Sequence, residues 1–110
     1  MRTCVCLDAV AAGLPLEAAL EAAAAAQGIE IWDWRRWDVA ALGSRAASCG
    51  LPVVALSGNT FEEPLVDPDA HPRALAHLAR SIEAARRLGA AVLVAHTGYA
   101  IAGRSRPAQW

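Results

Sequence analysis

The side chains best suited to chemistry lie within or just after short apolar runs. Glu30 lies in GIEIW, Asn59 follows PVVALSG, and His96 follows AVLVA. A carboxylate, an amide and an imidazole can together bind hydroxyl or carbonyl groups, and an imidazole can also move a proton. Asp8 follows the apolar run TCVCL, where a turn or capping role competes with a catalytic one. If the runs are neighbouring strands, these polar groups meet at one edge.

The stretch EIWDWRRWD, residues 30–38, holds three of the four tryptophans among charged residues. Trp is costly to leave in water, and unpaired charges are costly to bury, so a plain core segment would not mix them. The composition indicates a buried strand that emerges onto a functional rim. Trp32, Trp34 and Trp37 could stack against a sugar or pack beneath loops, and the sequence leaves both roles open.

Alternation along the strand predicted at residues 29–32 places Ile29 and Ile31 on one face and Glu30 and Trp32 on the other. The isoleucine face suits packing against helices. The Glu30 carboxylate needs a partner on the opposite face. That partner is either a loop arginine such as Arg35, in a structural ion pair, or a substrate or metal ion.

The other polar candidates also keep two interpretations each. His96 lies at the carboxyl end of the last predicted strand, where an imidazole is either a structural hydrogen-bonding group or a ligand and proton shuttle. Asn59, in SGNT, is either a turn former or a donor to substrate. His71 and His77 fall at the start and on the polar side of a predicted helix, and we expect both to be solvated.

Hydrophobic periodicity predicts the elements that position these groups. Four short apolar runs predict strands at residues 3–7, 29–32, 52–56 and 91–95. Helical spacing follows each of the first three runs: a helix begins at Pro15, a second is capped by Asp38, and a third begins at Pro72. The third helix has an apolar stripe formed by Leu75, Leu78, Ile82 and Ala85, and Gly89 ends it. The order β-α-β-α-β-α-β predicts an α/β domain with a parallel sheet covered by helices.

The connections between these elements differ in length. Links from helix to strand are minimal, whereas links from strand to helix are long, at residues 8–14, 33–37 and 57–71. Ligands of parallel α/β proteins bind beyond the carboxyl ends of the strands, on loops of the second kind. The sequence therefore predicts a functional site at that end of the sheet.

Composition excludes several classes of protein. The 110 residues form at most one domain, and a net charge of −1 argues against a nucleic-acid binder that neutralises phosphates. No apolar run is long enough to span a membrane. An odd number of cysteines, Cys4, Cys6 and Cys49, argues against a disulfide framework and favours a reducing cytoplasm. Cys4 and Cys6 are either metal ligands or buried thiols. No nucleotide-binding, metalloprotease or nucleophile-elbow motif is present.

Several segments resemble the first half of the hydroxypyruvate isomerase-like proteins, in the sugar-phosphate isomerase/epimerase group with the xylose isomerase-like TIM barrel. The similar segments are CLDAV, GLPLEAALEAAA, GIEIWDWR, GLPVVALSGN, PLVDP and SIEAARRLGAAVLVAHTG. They span nearly the whole chain. The most specific is EIWDWR, at residues 30–35, since runs such as SIEAARRLGA are common in α/β proteins.

The resemblance implies a (β/α)8 barrel that isomerises a small hydroxy-carbonyl compound or sugar with the help of Mg²⁺ or Mn²⁺. It implies that Glu30, Asn59 and His96 line the barrel mouth and that Trp32 is an aromatic residue beside them. The family's metal ligands and its acid/base pair come mainly from strands five to eight. We therefore expect no tight metal binding by this chain alone, and the sequence assigns no catalytic residue.

The predicted strands account for only half of such a barrel, which needs about 250 residues. We expect residues 1–110 to be a truncated barrel domain, or a half-barrel that pairs with another chain. Open sheet edges predict self-association. The alternatives are a doubly wound, receiver-like module without catalytic activity and a half-barrel that assembles with itself.

Overall fold

A computed structural model describes residues 3–103. The strands are β1 (Val5–Cys6), β2 (Ile29–Ile31), β3 (Val53–Ser57) and β4 (Val92–Val94). The helices are α1 (Leu7–Val10), α2 (Leu16–Ala22), α3 (Val39–Ser48) and α4 (His71–Leu88). Two short 3-10 turns lie at Trp34–Arg36 and Pro68–Ala70. The predicted alternation of strands and helices is confirmed.

The four strands form one sheet in the order β1-β2-β3-β4, and every neighbouring pair is parallel. The register aligns Cys6 with Glu30, Glu30 with Ala55, and Ala55 with Val92. The helices α2, α3 and α4 pack against one another in that order, as expected when right-handed crossovers connect sequential strands and place their helices on one face of the sheet. The strands themselves all run in the same direction. The carboxyl ends of the strands consequently share one edge, as predicted.

The core lies between that helical layer and the sheet. Ile29 and Ile31 of β2 are fully buried, as their alternation with Glu30 predicted. They belong to one cluster with Leu20, Leu42 and other apolar residues of the helices and strands. Each fully buried Leu or Ile contributes about 1.5–3 kcal/mol relative to an exposed one, so this layer stabilises the sheet that carries the site.

Local sequence signals fix where the helices begin and end. Pro15 precedes the first residue of α2. The Asp38 carboxylate accepts a hydrogen bond from the Ala41 backbone N–H at 2.8 Å and caps α3, as predicted. Gly89 adopts φ 71° after α4, a left-handed conformation that favours glycine and ends the helix.

The first strand is shorter than predicted. β1 covers only Val5–Cys6, and the helical turn α1 begins at Leu7, predicted as the last strand residue, and continues into the segment 8–14, predicted as a loop. The Ala11 backbone N–H donates to the Leu7 carbonyl at 3.0 Å, and the Leu7 side chain is fully buried. The apolar residue at the end of TCVCL therefore contributes to the core from a helical turn rather than from a strand.

The buried face of α4 also differs from the predicted stripe. Leu75 is 62% exposed and Ile82 is 44% exposed, whereas Ala85 is buried as expected. The buried positions further include Ser81 and His77, so the expectation that His77 is solvated is wrong. Small side chains allow the helix to approach the sheet closely, and polar side chains can be buried there because they find hydrogen-bonding partners.

Strand β4 lies at one edge of the sheet and is poorly covered. Val92 is 52% exposed and Val94 is 36% exposed. Exposed apolar side chains on an edge strand are a surface that another element can cover.

Across residues 3–103, no helix is long and apolar enough to cross a membrane.

All three cysteines are free thiols. Cys4 and Cys49 are exposed and Cys6 is partly buried, so Cys4 and Cys6 are not the buried pair that one interpretation of the sequence proposed. Loss of solvation on burial raises the pKa of the Cys6 thiol.

Candidate functional site

A cavity of about 280 Å³ lies at the carboxyl ends of β3 and β4. It contains three of the four predicted substrate-binding residues, Trp32, Asn59 and His96. Its remaining walls come from the loops after β2 and β3 and from the last residue of β3: Asp33, Arg35, Ser57, Thr60, Phe61 and Glu62. The prediction that polar groups from different strands meet at this edge is confirmed for Asn59 and His96, whereas Glu30 does not line the cavity.

His96 is held by a residue that the sequence did not single out. Its imidazole Nε2 lies 3.0 Å from the buried Ser57 hydroxyl oxygen, and the two share a hydrogen bond. Ser57 is paired in the sheet with Val94, two residues before His96, so both side chains emerge on the same side. The alternation of side chains along β3 and β4 could have indicated that Ser57 and His96 point to the same side, but only once the register of the two strands was known.

Asn59 is fully buried, and its amide joins two loops. Its Oδ1 accepts from the His96 backbone N–H at 2.8 Å, and its Nδ2 donates to the His96 carbonyl at 2.8 Å and to the Glu63 carbonyl at 3.1 Å. This reciprocal pattern fixes the backbone of His96 beside the cavity. Asn59 thus lines the cavity while its hydrogen-bonding groups are engaged by backbone.

Glu30 of β2 and Trp32, the first residue after this strand, bond to each other, in keeping with the prediction that they share a face. The Trp32 indole N–H donates to Glu30 Oε1 at 2.7 Å. Trp32 is 52% exposed, so its ring is available to a ligand while its polar edge is held. The expected alternative of an ion pair between Glu30 and a loop arginine such as Arg35 is not found among residues 3–103. The Arg35 guanidinium binds Asp33 at 3.0 Å instead.

Asp8 holds the segment that follows β2. Its Oδ2 accepts from the backbone N–H groups of Trp32 at 2.6 Å and Asp33 at 3.3 Å. Its Oδ1 lies 3.5 Å from Arg36 Nη1, an ion pair without a well-aligned hydrogen bond. Asp8 therefore has a structural role, but it holds a distant segment instead of the local turn or cap that the sequence predicted as the alternative to catalysis.

Phe61 and His96 contribute further rings to the lining of the cavity. The Phe61 ring centroid lies 4.4 Å from that of His96 and 5.3 Å from that of Tyr99. Phe61 is itself about half exposed. The cavity thus combines flat apolar surfaces with the Ser57 and His96 side chains, an arrangement that can orient a small polar compound by hydrogen bonds and stacking.

The other tryptophans of the motif have packing roles. Trp34 packs against the core, and its indole N–H donates to the Ser81 hydroxyl at 2.9 Å. Trp37 also packs against the core, and the Arg36 guanidinium lies 4.7 Å from its ring centroid. Among these three tryptophans, Trp32 is the one that lines the cavity.

The two histidines of α4, His71 and His77, differ in their exposure to solvent. His71 is exposed, and its Nε2 donates to the Leu65 carbonyl at 2.8 Å. His77 is 2% exposed, and its Nδ1 lies 2.6 Å from Glu63 Oε2. Glu63 supplies the partner that makes burial of an imidazole acceptable, and sequence periodicity cannot reveal a partner in a distant loop.

Across residues 3–103, no three or more His, Cys, Asp or Glu side chains are grouped so that they could hold a metal ion. The described residues therefore do not fit the Mg²⁺ or Mn²⁺ site that the family resemblance implies. No step involving a metal can be derived from them. Their chemistry is that of hydrogen bonding, stacking and charge.

No protein-family model matches the chain, and comparison with curated proteins gives no significant match.

Proposed function

We propose that the four strands are one half of a (β/α)8 barrel. The sequential strand order supports this, because a barrel is wound in one direction, whereas a doubly wound, receiver-like sheet reverses its order. β4 is an edge strand, where the next strand of a barrel would pair through its backbone. Its exposed Val92 and Val94 alternate with Leu93, which packs against the core, and so lie on the face that is the interior of a closed barrel. The second half would come from a longer polypeptide or from another chain.

We further propose that this half belongs to a sugar isomerase/epimerase-type enzyme and contributes the part of its site that orients a small hydroxy-carbonyl substrate such as hydroxypyruvate. The observation that carries the proposal is the meeting of Trp32, Ser57 and His96 in one cavity at the carboxyl ends of parallel strands. Active sites of (β/α)8 barrels lie at that end.

Each side chain has a role in this proposal. The Ser57–His96 pair hydrogen-bonds a substrate hydroxyl or carbonyl oxygen, and Trp32 packs against the carbon skeleton. Arg35 lines the same cavity, and its guanidinium offers a cation for a substrate carboxylate. Glu30 fixes the Trp32 indole and so acts on substrate through that ring. Isomerisation moves a proton between adjacent carbons, and we assign the base for that step to the second half of the barrel.

The divalent ion implied by the resemblance would be held mainly by the second half of the barrel, since residues 3–103 offer no group of three or more His, Cys, Asp or Glu ligands. The ion would supply polarisation of the substrate carbonyl when bound. The three free thiols suit a reducing compartment, and we place the protein in the cytoplasm.

Complementation tests this function. The chain is mixed with the C-terminal four-strand half of a barrel of the same group, and conversion of hydroxypyruvate to its aldehyde isomer is followed by NMR. Activity that appears only in the mixture and falls by at least tenfold in His96→Ala would support the proposal. Arg73→Ala, an exposed change on α4 away from the cavity, is the control. Equal activity in His96→Ala and the control would refute the assignment.

A further inference from the structure

The loop after β3 forms one wall of the cavity, and side chains of α4, which does not line the cavity, form hydrogen bonds to this loop. Thr60, Phe61 and Glu62 line the cavity. The next residue, Glu63, turns away from it and binds His77 on α4 at 2.6 Å. The residue that follows this wall in the sequence, Glu63, is therefore bound to α4, a helix that does not itself line the cavity.

The Glu63–His77 pair is largely shielded from water. His77 is 2% exposed and the Glu63 side chain is 18% exposed. A hydrogen bond to a charged group in such a place is stronger than one between exposed groups, and leaving either partner unpaired is costly. The Trp34 ring packs edge-on against His77, with 6.3 Å between the ring centroids. The EIWDWR motif therefore supports this pair as well as the cavity.

A second attachment holds the start of the loop. The Ser81 hydroxyl donates to the Gly58 carbonyl at 2.8 Å and accepts from the Trp34 indole at 2.9 Å. His77 and Ser81 are one turn apart on the buried face of α4. The helix therefore binds the loop at two points, Gly58 through Ser81 and Glu63 through His77. Between these two points lie Asn59, which fixes His96, and Phe61, which packs on its ring.

We propose that Glu63 and His77 are positioning residues for the cavity: their pair holds the Phe61 wall in place over His96. Loss of the pair removes the attachment of α4 at Glu63 and loosens the middle of the segment 58–67, while the Ser81–Gly58 bond remains. The sheet stays intact, because its strands are held by their own ladder and by the apolar core. The inference concerns how the site is formed. It rests on the proposed function only in taking this cavity as the ligand site.

Hydrogen exchange measured by mass spectrometry on the full chain tests this inference without any ligand. The segment has bonded amides that report its opening, since Glu63 N–H donates to the Thr60 carbonyl and Val66 N–H donates to the Thr97 carbonyl. In Glu63→Ala we expect exchange in the peptide covering residues 58–67 to accelerate on the order of tenfold to a hundredfold. Peptides from β2 and α3 should change by less than about twofold.

Two conservative variants separate positioning from a general loss of stability. Glu63→Gln keeps a side-chain oxygen that can accept from His77 Nδ1, and His77→Gln keeps an N–H donor, so both should recover much of the protection. Glu83→Ala, which removes an exposed carboxylate paired with Arg87 on the same helix, should leave exchange in residues 58–67 unchanged. Unchanged exchange in Glu63→Ala, or equal acceleration in every peptide, would overturn the proposal.

Titration with hydroxypyruvate forms a separate arm. If Glu63→Ala accelerates exchange in residues 58–67 and weakens hydroxypyruvate binding by about tenfold, the pair positions a working site. If exchange accelerates but the unmodified chain binds no hydroxypyruvate, the pair still positions the wall and the proposed substrate is wrong. The two conclusions therefore fail independently.

Discussion

Asn59 provides a demanding test of how the cavity is built. Replacing it with alanine removes the two bonds to the His96 backbone and the bond to the Glu63 carbonyl, all between 2.8 and 3.1 Å. Each hydrogen bond contributes about 1 kcal/mol net, and leaving buried partners unpaired adds to the loss. We expect Asn59→Ala to lower the free energy of unfolding by about 2–4 kcal/mol, a large fraction of the roughly 5–15 kcal/mol typical of a domain.

Urea denaturation followed by circular dichroism measures this change. It should be performed at two protein concentrations, because association makes the midpoint depend on concentration. Gln27→Ala is the matched control: its exposed amide oxygen accepts one bond from the Thr3 backbone N–H at 3.1 Å, so its loss should cost less than about 1 kcal/mol. If Asn59→Ala destabilises the chain no more than Gln27→Ala does, the hydrogen bonds between Asn59 and the His96 backbone do not stabilise the fold as described.

Three further outcomes follow from local features of the fold. Asp38→Ala removes the cap of α3 and should cost about 1 kcal/mol in urea denaturation; a loss below about 0.3 kcal/mol would contradict the cap. Because burial raises the pKa of the Cys6 thiol, less thiolate forms there at a given pH, and iodoacetamide at pH 8 should alkylate the exposed Cys4 and Cys49 first; peptide mass spectrometry showing Cys6 modified first would contradict this. The exposed edge strand should cause self-association in sedimentation velocity, and Val94→Lys should reduce it; a wild-type chain that stays monomeric up to about 100 μM would count against an open edge.

The order and direction of the strands could be predicted because each signal is local. Apolar runs, the cap at Asp38 and the stop at Gly89 act through residues close in sequence. The helix-to-strand links are longer than predicted, at residues 23–28, 49–52 and 89–91, but the loops after β2 and β3, at residues 32–38 and 58–70, are longer still, as predicted. The meeting of Trp32, Asn59 and His96 followed from parallel pairing alone.

The errors arose where a distant partner decides the outcome. His77 is buried because Glu63, fourteen residues earlier, supplies its hydrogen-bonding partner. Ser81 is buried because the Gly58 carbonyl lies against it, twenty-three residues away in sequence. Both lie on the buried face of α4, which is rotated away from the stripe of leucine and isoleucine that periodicity predicted. Ser57 was missed for the same reason, since its importance depends on register with β4.

The central claim is that this cavity, at the carboxyl ends of the parallel strands, is where a small hydroxy-carbonyl compound binds. NMR of the chain labelled with ¹⁵N in tryptophan and histidine, titrated with hydroxypyruvate, tests it directly. We predict that the Trp32 indole and His96 ring signals shift together along one saturable curve, while the Trp34 indole, bonded to Ser81, shifts little. Shifts at Trp34 alone, or no saturable shift at Trp32 and His96, would contradict the account.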